Sequence, residues 1–105
     1  MKTLRVTVRF ARGLHARPAA TLVALLKRFR SRVVFRVGNR VANAGSLLSI
    51  LLLVATFNTE LEVSAAGEDE EAAIKAAEVF FQNDDEEAAT VQITTDPHSP
   101  SASQS

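Results

Sequence analysis

The sequence predicts an α+β fold: one mostly antiparallel four-stranded sheet, with three helices on one face and the other face left to solvent. Two observations carry that expectation. Hydrophobic periodicity switches between about two and about 3.6 residues along the chain, in the order β-α-β-β-α-β-α. That order is a split β-α-β pattern, and nothing in it demands parallel pairing. At 105 residues the chain is long enough for one domain with one core, and 47% hydrophobic against 23% charged residues is an ordinary globular composition.

Residues 3–10 alternate cleanly, with Leu4, Val6, Val8 and Phe10 on one side and Thr3, Arg5, Thr7 and Arg9 on the other, as a half-buried strand does. Over residues 16–29 the apolar positions are Ala19, Leu22, Val23, Leu26 and Phe29, the spacing of one helical face. Lys27, Arg28 and Arg30 gather at the end where the macrodipole favours cations. Arg32–Val37 reads as a second strand with Val33, Phe35 and Val37 inward. Gly38-Asn39 is a tight-hairpin dipeptide leading into a third strand at Arg40-Val41-Ala42. Ser46 is a natural N-cap for a short helix over residues 47–54 that is apolar on nearly every side, so part of its surface has to pack deeply or face a partner. Glu60–Ala66 alternates again with Leu61, Val63 and Ala65 inward. Gly67 breaks that strand. Asp69, Glu70 and Glu71 then open a second long helix whose buried stripe is Ala73, Ile74, Ala77, Phe80 and Phe81. The domain is expected over residues 1–87, with residues 88–105 a C-terminal extension that is largely disordered.

Several function classes are excluded early. Zero Cys removes disulfides, thiolate zinc sites and thiol catalysis together. His15 and His98 are the only histidines, so no metal site is expected. The longest apolar run, residues 47–55 broken only by Ser49, falls short of the roughly 20 residues a membrane span needs. Met1-Lys2-Thr3-Leu4 lacks the apolar region and cleavage site of a secretory signal, which makes a cytoplasmic protein without membrane insertion the expectation. The formal net charge of zero hides an asymmetry. Residues 1–40 hold eleven bases and no acid, whereas all twelve carboxylates lie between positions 60 and 96, where Lys75 is the only base. Intermixed in the fold, these charges neutralise one another; segregated onto faces, they leave a basic surface that steers toward an acidic partner.

The chemistry concentrates in Gly13-Leu14-His15-Ala16-Arg17-Pro18-Ala19-Ala20, which joins the first strand to the first helix and places His15 at or beside the N-cap. Pro18 is tolerated in the first turn, where amides have no intrahelical partner. Those amides and the positive dipole end form an anion site beside an imidazole, with Arg17 at hand for a charge-assisted contact. A neutral imidazole nitrogen is a competent nucleophile, so the arrangement suits a phosphoryl group on His15 itself. The plainer reading is a surface histidine near a helix start.

These eight residues resemble the active-site motif of the HPr family, the histidine-containing phosphocarriers of the phosphoenolpyruvate:sugar phosphotransferase system. Asn43-Ala44-Gly45-Ser46-Leu47-Leu48 looks like that family's second signature, and the element order matches its open-faced β-sandwich over residues 3 to about 83. The resemblance implies a relay in which phosphorylated Enzyme I donates to Nδ1 of His15 and His15 donates to a histidine of an EIIA domain. It makes Arg17, with the amides of Ala16 and Arg17, the phosphate partner. Arg12, where the family usually has a small polar residue, puts a further long cation beside the phosphate. The resemblance also implies docking of both partners on Leu47, Leu48 and Leu51, and phosphorylation of Ser46 by an HPr kinase/phosphorylase in some bacteria. It further implies a monomer without a cofactor, consumed and regenerated stoichiometrically rather than acting as a true enzyme. Val54 replaces a usual glycine and Phe57 a usual lysine, which makes the partner-facing end of the second helix more apolar than expected. Two other readings compete: a nitrogen-type regulatory carrier with the same His15 chemistry, and an RNA-binding module. The second is disfavoured because Phe10 and Phe35 fall on inward faces and the chain has no Tyr or Trp for base stacking.

Overall fold

Alternation over the first residues produces strand β1 (Lys2–Thr7), and the computed structural model, which describes residues 1–82, follows it with α1 (Ala16–Leu26), β2 (Arg32–Val37), β3 (Arg40–Asn43), α2 (Leu47–Leu52), β4 (Glu60–Ala66) and α3 (Glu70–Gln82). The expected domain end at residue 87, the extension at residues 88–105 and His98 lie outside the described residues. The strands form one antiparallel sheet in the order β1-β4-β2-β3. In one cross-strand row, Leu4 faces Val63, Val63 faces Phe35 and Phe35 faces Ala42; this row points to the helices. The neighbouring row, Arg5, Glu62, Arg36 and Val41, points to solvent. A residue period of two thus sets which face is buried, as read from the sequence.

The core is built on four phenylalanines. Phe10 and Phe80 meet edge to face at 5.5 Å, Phe80 and Phe81 at 5.2 Å, and Phe35 and Phe81 at 6.2 Å, arrangements that add roughly 0.5–1.5 kcal/mol per pair beyond buried area. Leu22, Ile50, Leu53, Leu61 and Val63 fill the space around them. The buried stripe of α3 is Ala73, Ala77, Phe80 and Phe81, and Ile74 packs half-buried at its edge.

Three elements are shorter than the sequence suggests. The ladder of β1 stops at Thr7, although Val8 and Phe10 keep pointing inward. Val8 donates its amide to Thr59 at 2.9 Å and accepts from Asn58 at 2.8 Å, after which the chain turns. Helix α1 ends at Leu26 instead of Phe29: the amides of Arg28 and Phe29 bond to carbonyls three residues back, and those of Arg30 and Ser31 are taken by the Asp69 carboxylate at 2.9 Å each. Helix α2 ends at Leu52 instead of Val54 because Leu53 and Val54 also bond three residues back and Val54 adopts a positive φ of 55°.

Asp69 latches two elements together. Besides the two amides, its carboxylate accepts from the Ser31 hydroxyl, and its own carbonyl accepts from Ala73 as α3 begins. The Ser31 hydroxyl first, then the Arg30 amide, holds this carboxyl below its ordinary range. Gly67 lies so close to Ser31 that a Cβ there would stand 2.6 Å from the Ser31 Cα, so only glycine admits this approach.

The two charged halves of the sequence both intermix and segregate. Arg5 pairs with Glu60 at 3.3 Å and Arg36 with Glu62 at 3.6 Å on the open face of the sheet. Lys2 pairs with Glu71, the terminal amine with Glu70, and Arg30 with Glu68. Arg9, Arg12 and Arg17, in contrast, are exposed and form no ion pair among the described residues.

Candidate functional site

His15 is the N-cap of α1, in extended backbone conformation at φ −87°, ψ −169°. Its carbonyl starts the helix by accepting from Ala19 at 2.9 Å. Its side chain does not cap the helix, and the amides of Ala16 and Arg17, in the first turn, have no acceptor within α1. Pro18, buried in the first turn, contributes no amide. His15 is half-buried, while Arg12, Ala16 and Arg17 are exposed. The sequence-derived constellation therefore lies along one short loop and the first helical turn. Its cations are open to solvent and its imidazole is set partly into the surface.

That loop is anchored from a distant part of the chain. Leu14, buried, donates its amide to Ala55 at 2.8 Å, and Gly13 donates to Phe10 at 2.8 Å. Gly13 has φ +75°, and a Cβ on it would come within 2.8 Å of the Ala55 carbonyl oxygen. The 55–59 loop is held in turn: Thr56 donates its amide to the Thr59 hydroxyl at 3.0 Å, and the two hydroxyls lie 3.0 Å apart. Nε of Arg40 donates to the Leu53 carbonyl at 3.0 Å, a cation placed where the α2 dipole favours it. The His15 loop and the end of α2 are thus one hydrogen-bonded unit, a coupling that single-element sequence patterns do not reveal.

The second signature is a turn and a cap. Asn43 Oδ1 accepts from the Gly45 amide at 2.8 Å, Asn43 O from the Ser46 amide at 3.0 Å, and Ser46 Oγ from the Ser49 amide at 3.2 Å. Ser46 caps α2 as expected, and with its hydroxyl so engaged it is half-buried.

Of the three expected docking residues, Leu47 and Leu48 are exposed, whereas Leu51 is half-buried against the core. The difference in exposure follows from helical spacing: Ile50 and Leu53 define the buried side of α2, Leu51 borders it, and Leu48 and Leu52 lie opposite. Leu52 was not singled out from sequence because Ser49, the one polar residue of α2, is half-buried and does not mark the outer face. Leu48 (66% exposed), Leu52 (63%), Val54 (61%) and Phe57 (52%) extend the apolar strip from α2 to the loop that anchors His15. Among the described residues no cluster of His, Cys, Asp or Glu could hold a metal ion, and no helix is long and apolar enough to cross a membrane.

Comparison with known proteins follows the same geometry. Residues 2–83 match the family model of the phosphotransferase-system HPr component phosphorylation site. The phosphocarrier protein HPr of Treponema pallidum is 40% identical over 87 residues, which cover 83% of this chain and 97% of that protein. The phosphocarrier protein NPr of Proteus mirabilis is 35% identical over 80 residues, 75% of this chain and 89% of that one. A crystal structure of HPr from Thermoanaerobacter tengcongensis superposes with a TM-score of 0.76 at 35% identity, covering 78% of this chain and 92% of the other. HPr of that organism has also been solved as a dimer, with a TM-score of 0.62 at the same identity, covering 78% and 94% of the two chains.

Proposed function

The chain belongs to the HPr family of phosphotransferase-system phosphocarriers, and from that premise we propose that His15 accepts a phosphoryl group from phosphorylated Enzyme I and passes it to a histidine of an EIIA domain. The observation that carries this reading is the placement of His15 as an N-cap whose side chain leaves the Ala16 and Arg17 amides open. The Nδ1 lone pair attacks phosphorus, and the bond from phosphorus to the donor atom breaks as the new P–N bond forms. The two amides, the helix dipole and the Arg17 guanidinium face the negative oxygens, and exposed Arg12 adds a second cation. A half-buried imidazole among exposed cations holds the group without enclosing it, so it can be transferred again. The phosphoryl group comes from phosphoenolpyruvate through Enzyme I, no cofactor takes part, and the carrier works as a cytoplasmic monomer.

Docking is assigned to the apolar strip Leu47, Leu48, Leu52, Val54 and Phe57, because it is continuous with the loop bonded to Leu14. Phosphorylation of Ser46 by an HPr kinase/phosphorylase would add about two negative charges at the edge of that strip. A nitrogen-type regulatory carrier is the second reading. Similarity to the Proteus NPr and the apolar Val54 and Phe57 favour it, and comparing transfer to EIIA domains of each type decides between the two. The RNA reading gains no support from the sheet, whose open face carries Arg5–Glu60 and Arg36–Glu62 pairs while Phe10 and Phe35 are fully buried.

The test is incubation with Enzyme I, magnesium and phosphoenolpyruvate, followed by intact mass. One acid-labile phosphate is expected on the protein and none on a folded His15→Ala variant. Phosphate on His15→Ala refutes the assignment.

A further inference from the structure

Arg40 opens β3, paired with Val37 across the Gly38-Asn39 turn, and its side chain crosses to α2. There Nε donates to the carbonyl of Leu53, the C-cap of the helix, at 3.0 Å. One residue on, Val54 takes left-handed backbone at φ 55°. One residue further, the Ala55 carbonyl accepts from the Leu14 amide at 2.8 Å, and Leu14 directly precedes His15. The path from the guanidinium to the histidine backbone is thus two hydrogen bonds with one strained residue between them.

Left-handed backbone disfavours a residue bearing a Cβ by roughly 5- to 30-fold, and a β-branched one most. A residue keeps such a conformation only where its surroundings over-determine it. The Val54 side chain is 61% exposed, so its own packing supplies little of that restraint. The restraint comes from the chain on either side. Downstream, Asn58 donates to the Val8 carbonyl, Val8 donates to the Thr59 carbonyl, and Thr56 donates to the Thr59 hydroxyl. Upstream, Leu53 and Val54 bond to carbonyls three residues back, a geometry weaker than the α-helical one, and what ties the Leu53 carbonyl to the sheet is Arg40.

We propose that Arg40 is a positioning residue for His15: its bond to the Leu53 carbonyl holds Val54 in left-handed backbone and thereby keeps the Ala55 carbonyl on the Leu14 amide. The clamp itself stands on these bonds; its effect on phosphoryl transfer rests on the carrier reading above. A part-buried guanidinium bond to a carbonyl sits at the low end of the charge-assisted range, a factor of roughly ten between the held and the released segment.

Amide hydrogen exchange on the full-length chain reads the clamp. In Arg40→Gln the Leu14 amide is expected to exchange roughly 10-fold faster relative to that of Ala73, which is bonded to Asp69 in the first turn of α3 and lies off this path. Adding Val54→Gly relieves the strain and should recover roughly 2- to 5-fold of that loss, whereas adding Val54→Ala, which keeps a Cβ, should recover less. An unchanged Leu14 rate, or Leu14 and Ala73 accelerated alike as in a general loss of stability, overturns the clamp. Equal recovery by glycine and alanine overturns the part assigned to strain. Phosphorylation by Enzyme I reads the consequence. Arg40→Gln should lower kcat roughly 2- to 10-fold, the upper figure being the whole worth of the lost bond, with the KM for the carrier unchanged. An unchanged kcat overturns the positioning role, and a raised KM beside it makes Arg40 a docking cation. A wild-type chain that accepts no phosphate refutes the carrier reading and the positioning role with it, while the exchange rates still decide the clamp.

Discussion

Val54 sits at φ 55°, immediately after the last capped turn of α2, a position where glycine is favoured and a β-branched residue is strained. Left-handed backbone costs a residue with a Cβ about 1–2 kcal/mol, and a β-branched side chain belongs at the upper end. Against that relief, glycine gives the unfolded chain extra freedom worth about 0.5–1 kcal/mol. Val54 is 61% exposed, so deleting its side chain forfeits only a minor part of the roughly 1.5–3 kcal/mol that complete burial would contribute, on the order of 0.5 kcal/mol. Val54→Gly is therefore expected to stabilise the domain by roughly 0.5–1 kcal/mol, which raises the melting temperature by about 2–8 °C for a domain of this size. Thermal unfolding followed by circular dichroism measures it. Val54→Ala serves as the control: it trims the side chain without relieving the left-handed backbone and should gain less. A melting temperature that falls in Val54→Gly while Val54→Ala is unchanged would show that the backbone at this position is not strained, the loss then coming from the freedom glycine gives the unfolded chain.

The remaining expectations concern the anchor, the latch and the cap. Gly13→Ala should destabilise the fold by about 2 kcal/mol or more in chemical denaturation, because the new Cβ meets the Ala55 carbonyl at 2.8 Å on backbone at φ +75°, and phosphoryl transfer should fall with it; a wild-type melting curve would refute the anchoring role. Because the Asp69 carboxyl is held below its ordinary range by Ser31 and Arg30, its contribution is complete above the unfolded-state value near 4 and is lost as pH falls through the lower folded-state value. Asp69→Asn should therefore be less stable than wild type at neutral pH, with the difference shrinking in acid; a constant difference down to about pH 2 contradicts the latch. Ser46→Ala should lose about 1 kcal/mol of stability in the same unfolding assay, whereas Ser46→Asp should stay folded, since an anion at the start of α2 replaces the cap. Ser46→Asp should also transfer phosphate more slowly, and an unchanged transfer rate would mean that α2 is not the docking surface.

What the sequence made legible was governed by short-range rules. Period-two alternation assigned the buried faces of β1, β2 and β4 correctly, because register follows from alternation wherever one side of a sheet is covered. Ser46 as a cap and His15 at the helix start were readable because capping depends on residues within one turn. Element ends were misjudged at Phe10, Phe29 and Val54, and in each case the terminating cause lies elsewhere or in backbone shape: Asn58 and Thr59 for β1, Asp69 for α1, a positive φ for α2. The same limit applies to the site. The motif around His15 is local, but what holds it is the Ala55 carbonyl, forty-odd positions away and bonded through a backbone amide that carries no side-chain signature. Gly13 is the one trace of that contact in the sequence, since a glycine is what a loop needs to approach another backbone so closely. The exposed side of α2 was half legible for a related reason: in Leu47–Leu52 the exposed positions are as apolar as the buried one, so only packing beside Ile50 and Leu53 separates Leu51 from Leu52. The strip of five exposed apolar residues runs into the segment whose Ala55 carbonyl accepts from the Leu14 amide, one residue before His15, so that strip and the His15 loop are mechanically one piece.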